Sequence, residues 1–321
     1  MTQTTQTTQT TALYVGIDVS QKTLTIATYP TDEVWTIAND PHHHRALVQR
    51  LAQLSVQRVL LESSGGYEKP VVHALQQADI PVVVVTAQRA RYFAKSMRGD
   101  LKTDRADARM LAYFAYCYPV QPTAPCSPVQ AELKELWARR EQLVQELERE
   151  KKRLQTVPFA AVRASLEQMI AVLQDAIAQT EARVEDLMAS DADLSQKAAL
   201  LQTVVGVGRV VACGSVAELP ELGCVSHRAI AALVGLAPVR CESGEWVGRA
   251  RVRGGRGRVR RLLYQAAVVA VTNDARWKAV YQELLAKGKP KKAALCAVAR
   301  RLLVVMNAMV HDGRAYERTR E

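Results

Sequence analysis

The chain has 321 residues, 43 Lys and Arg against 32 Asp and Glu, a net charge of +11 and a pI near 9.5. A hydrophobic share of 48% excludes a disordered chain, and at about 150 residues per domain the length suggests two or more domains. The charge excess sits in residues 240–321, which hold 19 basic and 7 acidic residues, a net of +12, while residues 1–239 come to −1; basic charge so concentrated points to a polyanion such as nucleic acid or a membrane surface.

Residues 1–12 open on a Thr/Gln repeat with neither a basic start nor an apolar stretch, and read as a disordered tail, not a signal peptide. No uninterrupted apolar run reaches the ~18 residues of a membrane span. The longest, Leu262–Val271, is flanked by Arg260 and Arg261. Six cysteines without a CxxC pair or metal-ligand spacing read as reduced thiols of a cytoplasmic protein.

Residues 13–127 read as an α/β domain. LYVGIDVS and KTLTIATYP, within 13–30, form two strands joined by a tight turn, and VWTIA at 34–38 a third. A helix over His42–Leu54, a strand Arg58–Glu62, a helix near Lys69–Ala78 and a strand at 81–86 follow. A hairpin start followed by strand–helix units predicts a partly parallel sheet of ribonuclease-H-like (RuvC-like) type. A Rossmann fold would need a glycine-rich turn after the first strand, and none is present.

Four carboxylates stand out in this segment. Asp18 lies between Ile17 and Val19, Glu62 ends an apolar strand, and Asp104 and Asp107 share one face of a helix at i and i+3. Singly, an Asp at a strand end is an ordinary turn residue and Asp-x-x-Asp a solvated face. Together they form a set of hard oxygen donors suited to Mg2+ and phosphoryl transfer, since a carboxylate in a buried strand is costly unless paired or bound to a cation. Seven basic residues surround them in sequence: Arg89, Arg91, Lys95, Arg98, Lys102, Arg105 and Arg109. His42–His44, by contrast, begin a helix without a partner cluster and read as surface residues.

Residues 128–195 read as a coiled-coil helical hairpin. Leu133, Trp137, Val144, Leu147 and Leu154 follow heptad spacing, with Arg140 and Lys151 in the seam; Pro158 breaks the pattern; Val162, Leu166, Met169, Leu173, Ala176, Val184 and Leu187 resume it. Such an arm serves as a spacer, a protomer contact or a nucleic-acid grip.

Residues 196–321 read as a mainly α domain. Gly206-Val207-Gly208 between two apolar helices resembles a helix-hairpin-helix, where glycines let backbone N–H groups approach a phosphate. A turn at Glu242-Ser243-Gly244 leads into Arg249, Arg251, Arg253, Arg256, Arg258, Arg260 and Arg261, seven arginines in 13 residues. That density favours phosphate contact. Ser-Gly alone is an ordinary turn, and a serine nucleophile needs activation by a base or by surrounding positive charge.

In order, YVGIDVSQKTL, LLESSGGYEKPVVHAL, VTAQRARYFAKSMRGDLKTDRADARMLA, VVGVGRVVA and LVGLAPVRCESGEWVGRARVRGGRGRVRRLLYQAA closely resemble the DEDD transposases of the IS110 group, relatives of the Piv-type DNA invertases. The resemblance covers residue 13 to about 310. Gln21 and Thr86-Ala87 depart from the common pattern, and neither touches a carboxylate. The resemblance implies a RuvC-like domain holding magnesium through Asp18, Glu62, Asp104 and Asp107. It also implies a C-terminal transposase domain with Ser243 as nucleophile and a covalent 5′-phosphoserine link to DNA. Donor and target DNA, a structured guide (bridge) RNA, and dimers assembling to tetramers with composite sites are further implications. A RuvC-like nuclease using water, with Ser243 merely a turn residue, is the alternative from another class. A non-catalytic helix-hairpin-helix protein would leave Asp18 and Glu62 unexplained.

Overall fold

The computed structural model describes residues 12–97, 103–119, 122, 127–239, 242–243, 246–247 and 251–317, with backbone only for 242–243 and 246–247. Residues 1–11, Arg98, Lys102, Arg249 and the Ser243 side chain therefore lie outside the described residues. The chain divides into two compact units, residues 1–125 and 126–321.

The first unit is a five-stranded sheet with helices on both faces. β1 (Leu13–Val19), β2 (Thr23–Tyr29) and β3 (Val34–Ala38) form an antiparallel meander. β4 (Val56–Glu62) pairs parallel with β1, and β5 (Val82–Val85) pairs parallel with β4, giving the order β3-β2-β1-β4-β5. Val59, Leu60 and Leu61 are fully buried on consecutive positions, as a strand covered on both faces requires. One face carries α1 (Pro41–Ala52) and α2 (Lys69–Gln77), whose Leu47, Leu51, Val71 and Leu75 pack on Val15, Ile17 and Val59. The other carries α3 (Ala87–Ser96) and α4 (Asp104–Cys117), packed on Leu60, Val83 and Val85 through Ala90, Leu111 and Phe114. Thr86 and Thr103 cap these two helices, accepting from the N–H groups of Arg89 and Ala106. Sequence patterning recovered the strands, α1, α2 and the Asp-x-x-Asp helix. It missed α3, whose basic residues mask its helical spacing.

Among the described residues, the second unit is helical apart from four two-residue strands. α5 (Pro128–Thr156) and α6 (Ala160–Ser190) form an antiparallel hairpin. Arg140, expected in the seam, is indeed inside: it donates to Glu181 at 2.6 Å and lies 4.9 Å from the Trp137 ring centroid. Lys151, and with it Val162 and Met169 of the expected seam, instead face solvent, and Leu143 is buried off the expected heptad. The base of the hairpin belongs to the main core, where Leu133, Trp137, Val184, Leu187 and Met188 join the later helices. Buried Gln130 adds a polar tie, donating to the carbonyls of Val216 and Ala217.

α7 (Ala192–Gln202), α8 (Arg209–Glu218) and α9 (His227–Val234) lead to β6 (Pro238–Val239), which pairs with β9 (Arg251–Val252); β7 (Glu242–Ser243) pairs with β8 (Trp246–Val247). α10 (Gly257–Asn273), α11 (Ala275–Ala286) and α12 (Lys291–Asp312) complete the unit. α12 is the one described helix long and apolar enough to cross a membrane. The sequence reading passed over it because Arg300 and Arg301 interrupt its apolar run. Its Val298, Ala299, Leu302, Leu303 and Met306 are fully buried in this helical core.

Candidate catalytic and nucleic-acid site

The site in the first unit is built on a close approach of backbone to backbone. A Cβ at Gly16 would fall 2.2 Å from both the Ala108 carbonyl oxygen and the Ala112 nitrogen. α4 therefore lies directly on β1, with Asp104 and Asp107 in its first turn and Asp18 near the end of the strand. β4 runs parallel beside β1 and ends on Glu62. The four carboxylates thus converge from three elements that are remote in sequence.

Electrostatics report the same convergence. The Asp18 carboxyl is raised from 3.8 to about 6, by burial first and then by the charges of Asp104, Asp107 and Glu62. Like charges so gathered favour a proton or a cation over four ionised carboxylates. Their all-oxygen donor set suits a hard divalent ion such as magnesium.

Two supports of this cluster escaped sequence reasoning. Asn39 donates through Nδ2 to the carbonyls of Ser20 and Tyr67, at 2.9 and 3.2 Å, joining the turn after β1 to the loop after β4. Its Oδ1 accepts from Nε2 of His44 at 2.7 Å. His44 is buried, not the surface residue expected, and burial lowers its pKa, which favours the neutral ring. Glu68 holds the loop after Glu62: its Oε2 accepts from Ser64 N, Ser64 Oγ and Gly66 N within 3.0 Å. Burial pulls the Glu68 carboxyl up, but these hydrogen bonds outweigh it and keep the group below the usual range. A His paired with Asn five residues away, and an acid following Ser-Ser-Gly-Gly, were the available signals.

His42 and His43 do have a partner. Their ring nitrogens and an Asp40 carboxylate oxygen lie within 4.8 Å of one another. Asp40 caps α1 through the N–H groups of His42 and His43 and pairs with the His43 ring. That capping role accounts for the cluster.

The second unit sorts the arginines into two kinds. Arg256 is half-buried and bidentate to Glu221, both contacts at 2.5 Å, and also donates to the Glu218 carbonyl. Arg258 pairs with Glu218 and Arg261 with Glu141. Arg260 donates to the carbonyls of Val234 and Gly254. These four tie the start of α10 to the body of the unit. Arg251 and Arg253 are exposed, and among the described residues neither makes an ion pair. Arg89, Arg91 and Arg105 of the first unit are exposed too; Arg89 lies 4.8 Å from the Tyr118 ring centroid.

Ser243 is the last residue of β7, its backbone paired with Trp246 of β8. Of the hairpin glycines, Gly206 has φ +88, and a Cβ there would meet the Ala266 carbonyl oxygen at 2.4 Å. It faces α10, not solvent. Gly208 is exposed at the N-cap of α8 with open space around it.

Comparison with known proteins finds two family matches, the first of which spans the first unit and α5 of the second. Residues 15–157 match a family model of IS110 DEDD enzymes described as "Transposase", and residues 198–282 match the "Transposase IS116/IS110/IS902 family". The chain is 24% identical over 323 residues to the pilin gene-inverting protein of Moraxella lacunata, covering 95% of this chain and 98% of that one. Identity to the Moraxella bovis protein of the same name is 23% over 321 residues, with the same coverage. A third relative, the insertion element IS110 uncharacterized 43.6 kDa protein of Streptomyces coelicolor, is 33% identical over 89 residues, 27% of this chain and 22% of that protein.

Proposed function

The chain belongs to the IS110 family of transposases, and from that premise we propose that it cleaves and exchanges DNA strands with Ser243 as nucleophile and an acidic centre of Asp18, Glu62, Asp104 and Asp107. The observation that carries this reading is the convergence of those carboxylates on the raised Asp18. The sheet order, an antiparallel meander continued by two parallel strands, supports a RuvC-like assignment for the first unit.

In this reading Ser243 Oγ attacks the scissile phosphorus and its proton passes to solvent. The 3′-oxygen leaves and takes up a proton, giving a free 3′-hydroxyl and a 5′-phosphoserine. The reverse attack by another strand's 3′-hydroxyl completes the exchange and frees the serine. Asp18, Glu62, Asp104 and Asp107 would hold magnesium, which supplies charge neutralisation at the phosphate. Arg251, Arg253, Arg89, Arg91, Arg105 and the exposed Gly208 end of α8 are the groups best placed to take phosphates. Arg256, Arg258, Arg260 and Arg261 hold the α10 start in place and contribute field. The names of the Moraxella relatives, pilin gene-inverting proteins, describe a DNA rearrangement of this class.

Further members of the reading are a structured guide RNA, action in the cytoplasm, and a dimer that pairs into a tetramer. An exposed apolar run on α6, with Val162, Met169 and Val172 between 47% and 59% accessible and Phe159 just before it, supports a protomer contact along the coiled-coil arm.

Trapping the DNA adduct tests the nucleophile. Wild type should form a covalent protein–DNA complex, and Ser243→Ala should not. A covalent complex with Ser243→Ala would refute the assignment. Free 3′-hydroxyl and 5′-phosphate ends with no adduct in wild type would favour the water-using nuclease.

A further inference from the structure

The second unit contains an open cavity of about 1120 Å³ between β9, α11 and α12. Arg251, Arg276, Lys289, Lys292, Arg300 and Arg301 line it, and among the described residues no acidic one does. Among the described residues, none of these six cations makes an ion pair, unlike the arginines at the start of α10. Glu283 stands near enough for Arg301 to act on it, but its own pairing is with Lys287. Only Arg251 was singled out by the sequence reading. The other five are spread over 26 residues and come together only because α11 folds back on α12.

Between the cations the wall is apolar, with Val252, Val280, Val304 and Val305 half-buried beside Pro238. A duplex keeps its base faces stacked inside and offers phosphates, sugars and base edges, which would leave that wall without a flat apolar partner. An unpaired strand offers phosphates to the rim and base faces to the interior. The volume exceeds the roughly 300–1,000 Å³ of small-molecule sites, which suits a polymer segment better than one small ligand. We propose that this cleft binds an unpaired nucleic-acid segment, its phosphates on the six cations and its bases against the valine wall. The cleft belongs to the second unit and the acidic centre to the first, and the proposal does not depend on the identity of the nucleophile.

Cys296 provides a local reporter, because it lines the cleft and is half-buried, whereas Cys224 is exposed elsewhere in the same unit. The full chain would be titrated with 12-nucleotide oligo-U, 12-nucleotide oligo-dT and a 20-base-pair duplex, reading anisotropy and the alkylation rate of each cysteine. Either single strand should slow alkylation of Cys296 and leave Cys224 unaffected. Lys289→Ala/Lys292→Ala, both exposed, should weaken single-strand binding on the order of tenfold and lower the salt slope by about 2, with much smaller loss for duplex. Stronger protection by oligo-U assigns the cleft to RNA, by oligo-dT to DNA, and either supports the proposal. Unprotected Cys296 at saturation, or equal losses for single strand and duplex, would overturn it. Charge reversal of the same two lysines, with folding checked by thermal melt, gives a second reading if the alanine effect is small.

Discussion

Gly16 of β1 and Ala108 of α4 meet backbone to backbone, with no room for a side chain between them. This contact sets the height of α4 above the sheet, and with it the distance of Asp104 and Asp107 from Asp18. Gly16→Val should force α4 outward, destabilise the first unit by about 1–3 kcal/mol as overpacking does, and abolish strand cleavage. Thermal melting and cleavage assays would be compared. Full activity in the variant would mean that α4 does not position the acidic centre.

Asn39 should act as a positioning residue. Asn39→Ala removes two hydrogen bonds to loop carbonyls and the partner of buried His44, a loss of about 1–3 kcal/mol. The expected signature is a weakened divalent-ion dependence, with higher magnesium needed for half-maximal cleavage. An unchanged magnesium titration would argue against that role.

A pH dependence follows from Asp18. Its folded pKa of about 6 lies above the ordinary 3.8, so the folded state binds the proton more tightly than the unfolded chain. Its contribution to stability is therefore full below about pH 4 and is lost as pH rises through 6. In the metal-free protein, Asp18→Asn should melt above wild type at pH 7.5 and close to it at pH 4. A constant offset at both pH values would show that burial and the neighbouring carboxylates do not raise Asp18 as argued.

The arginines should separate by phenotype. Arg256→Ala breaks the bidentate pair with Glu221 and should cost about 1–2 kcal/mol of stability, allowing for partial exposure of the pair. Arg253→Ala should leave the melting temperature unchanged and weaken DNA binding about equally across sequences. The reverse pattern would invalidate the division drawn between them.

The exposed run on α6 gives a fifth test. Met169→Glu with Val172→Lys should leave the monomer fold intact and shift sedimentation toward smaller species. No shift would remove the arm from the protomer contact.

Much of this organisation was legible in the primary structure, for identifiable reasons. The apolar runs of the strands and much of the apolar spacing of the arm are set by burial, so they survive in sequence, whereas the strict heptad does not hold: Val162 and Met169 face solvent and Leu143 is buried. The paired Asp104 and Asp107 were legible because they lie within one helical turn. Arg256 was not, because an arginine bound to Glu221 and one facing solvent look the same in a string of seven. Gly206 misled in the same way: its glycine is required, but by the Ala266 backbone, not by a ligand approaching from outside. His44 and Glu68 act through contacts across loops, which leave no periodic trace. The cationic cleft was hidden for the opposite reason, since its residues are ordinary until α11 and α12 bring them together.

The anchoring of the α5–α6 hairpin in the helical core has a practical consequence. Leu133, Trp137, Val184 and Leu187 make the root of the arm inseparable from the body, whereas beyond Leu147 its two strands of helix touch little else. The arm is thus a ruler with a fixed origin and an adjustable tip. Removing seven residues from each helix beyond that point would shorten its reach by about 10 Å while keeping the same faces together. Graded truncations of that kind would measure the span that the arm must bridge.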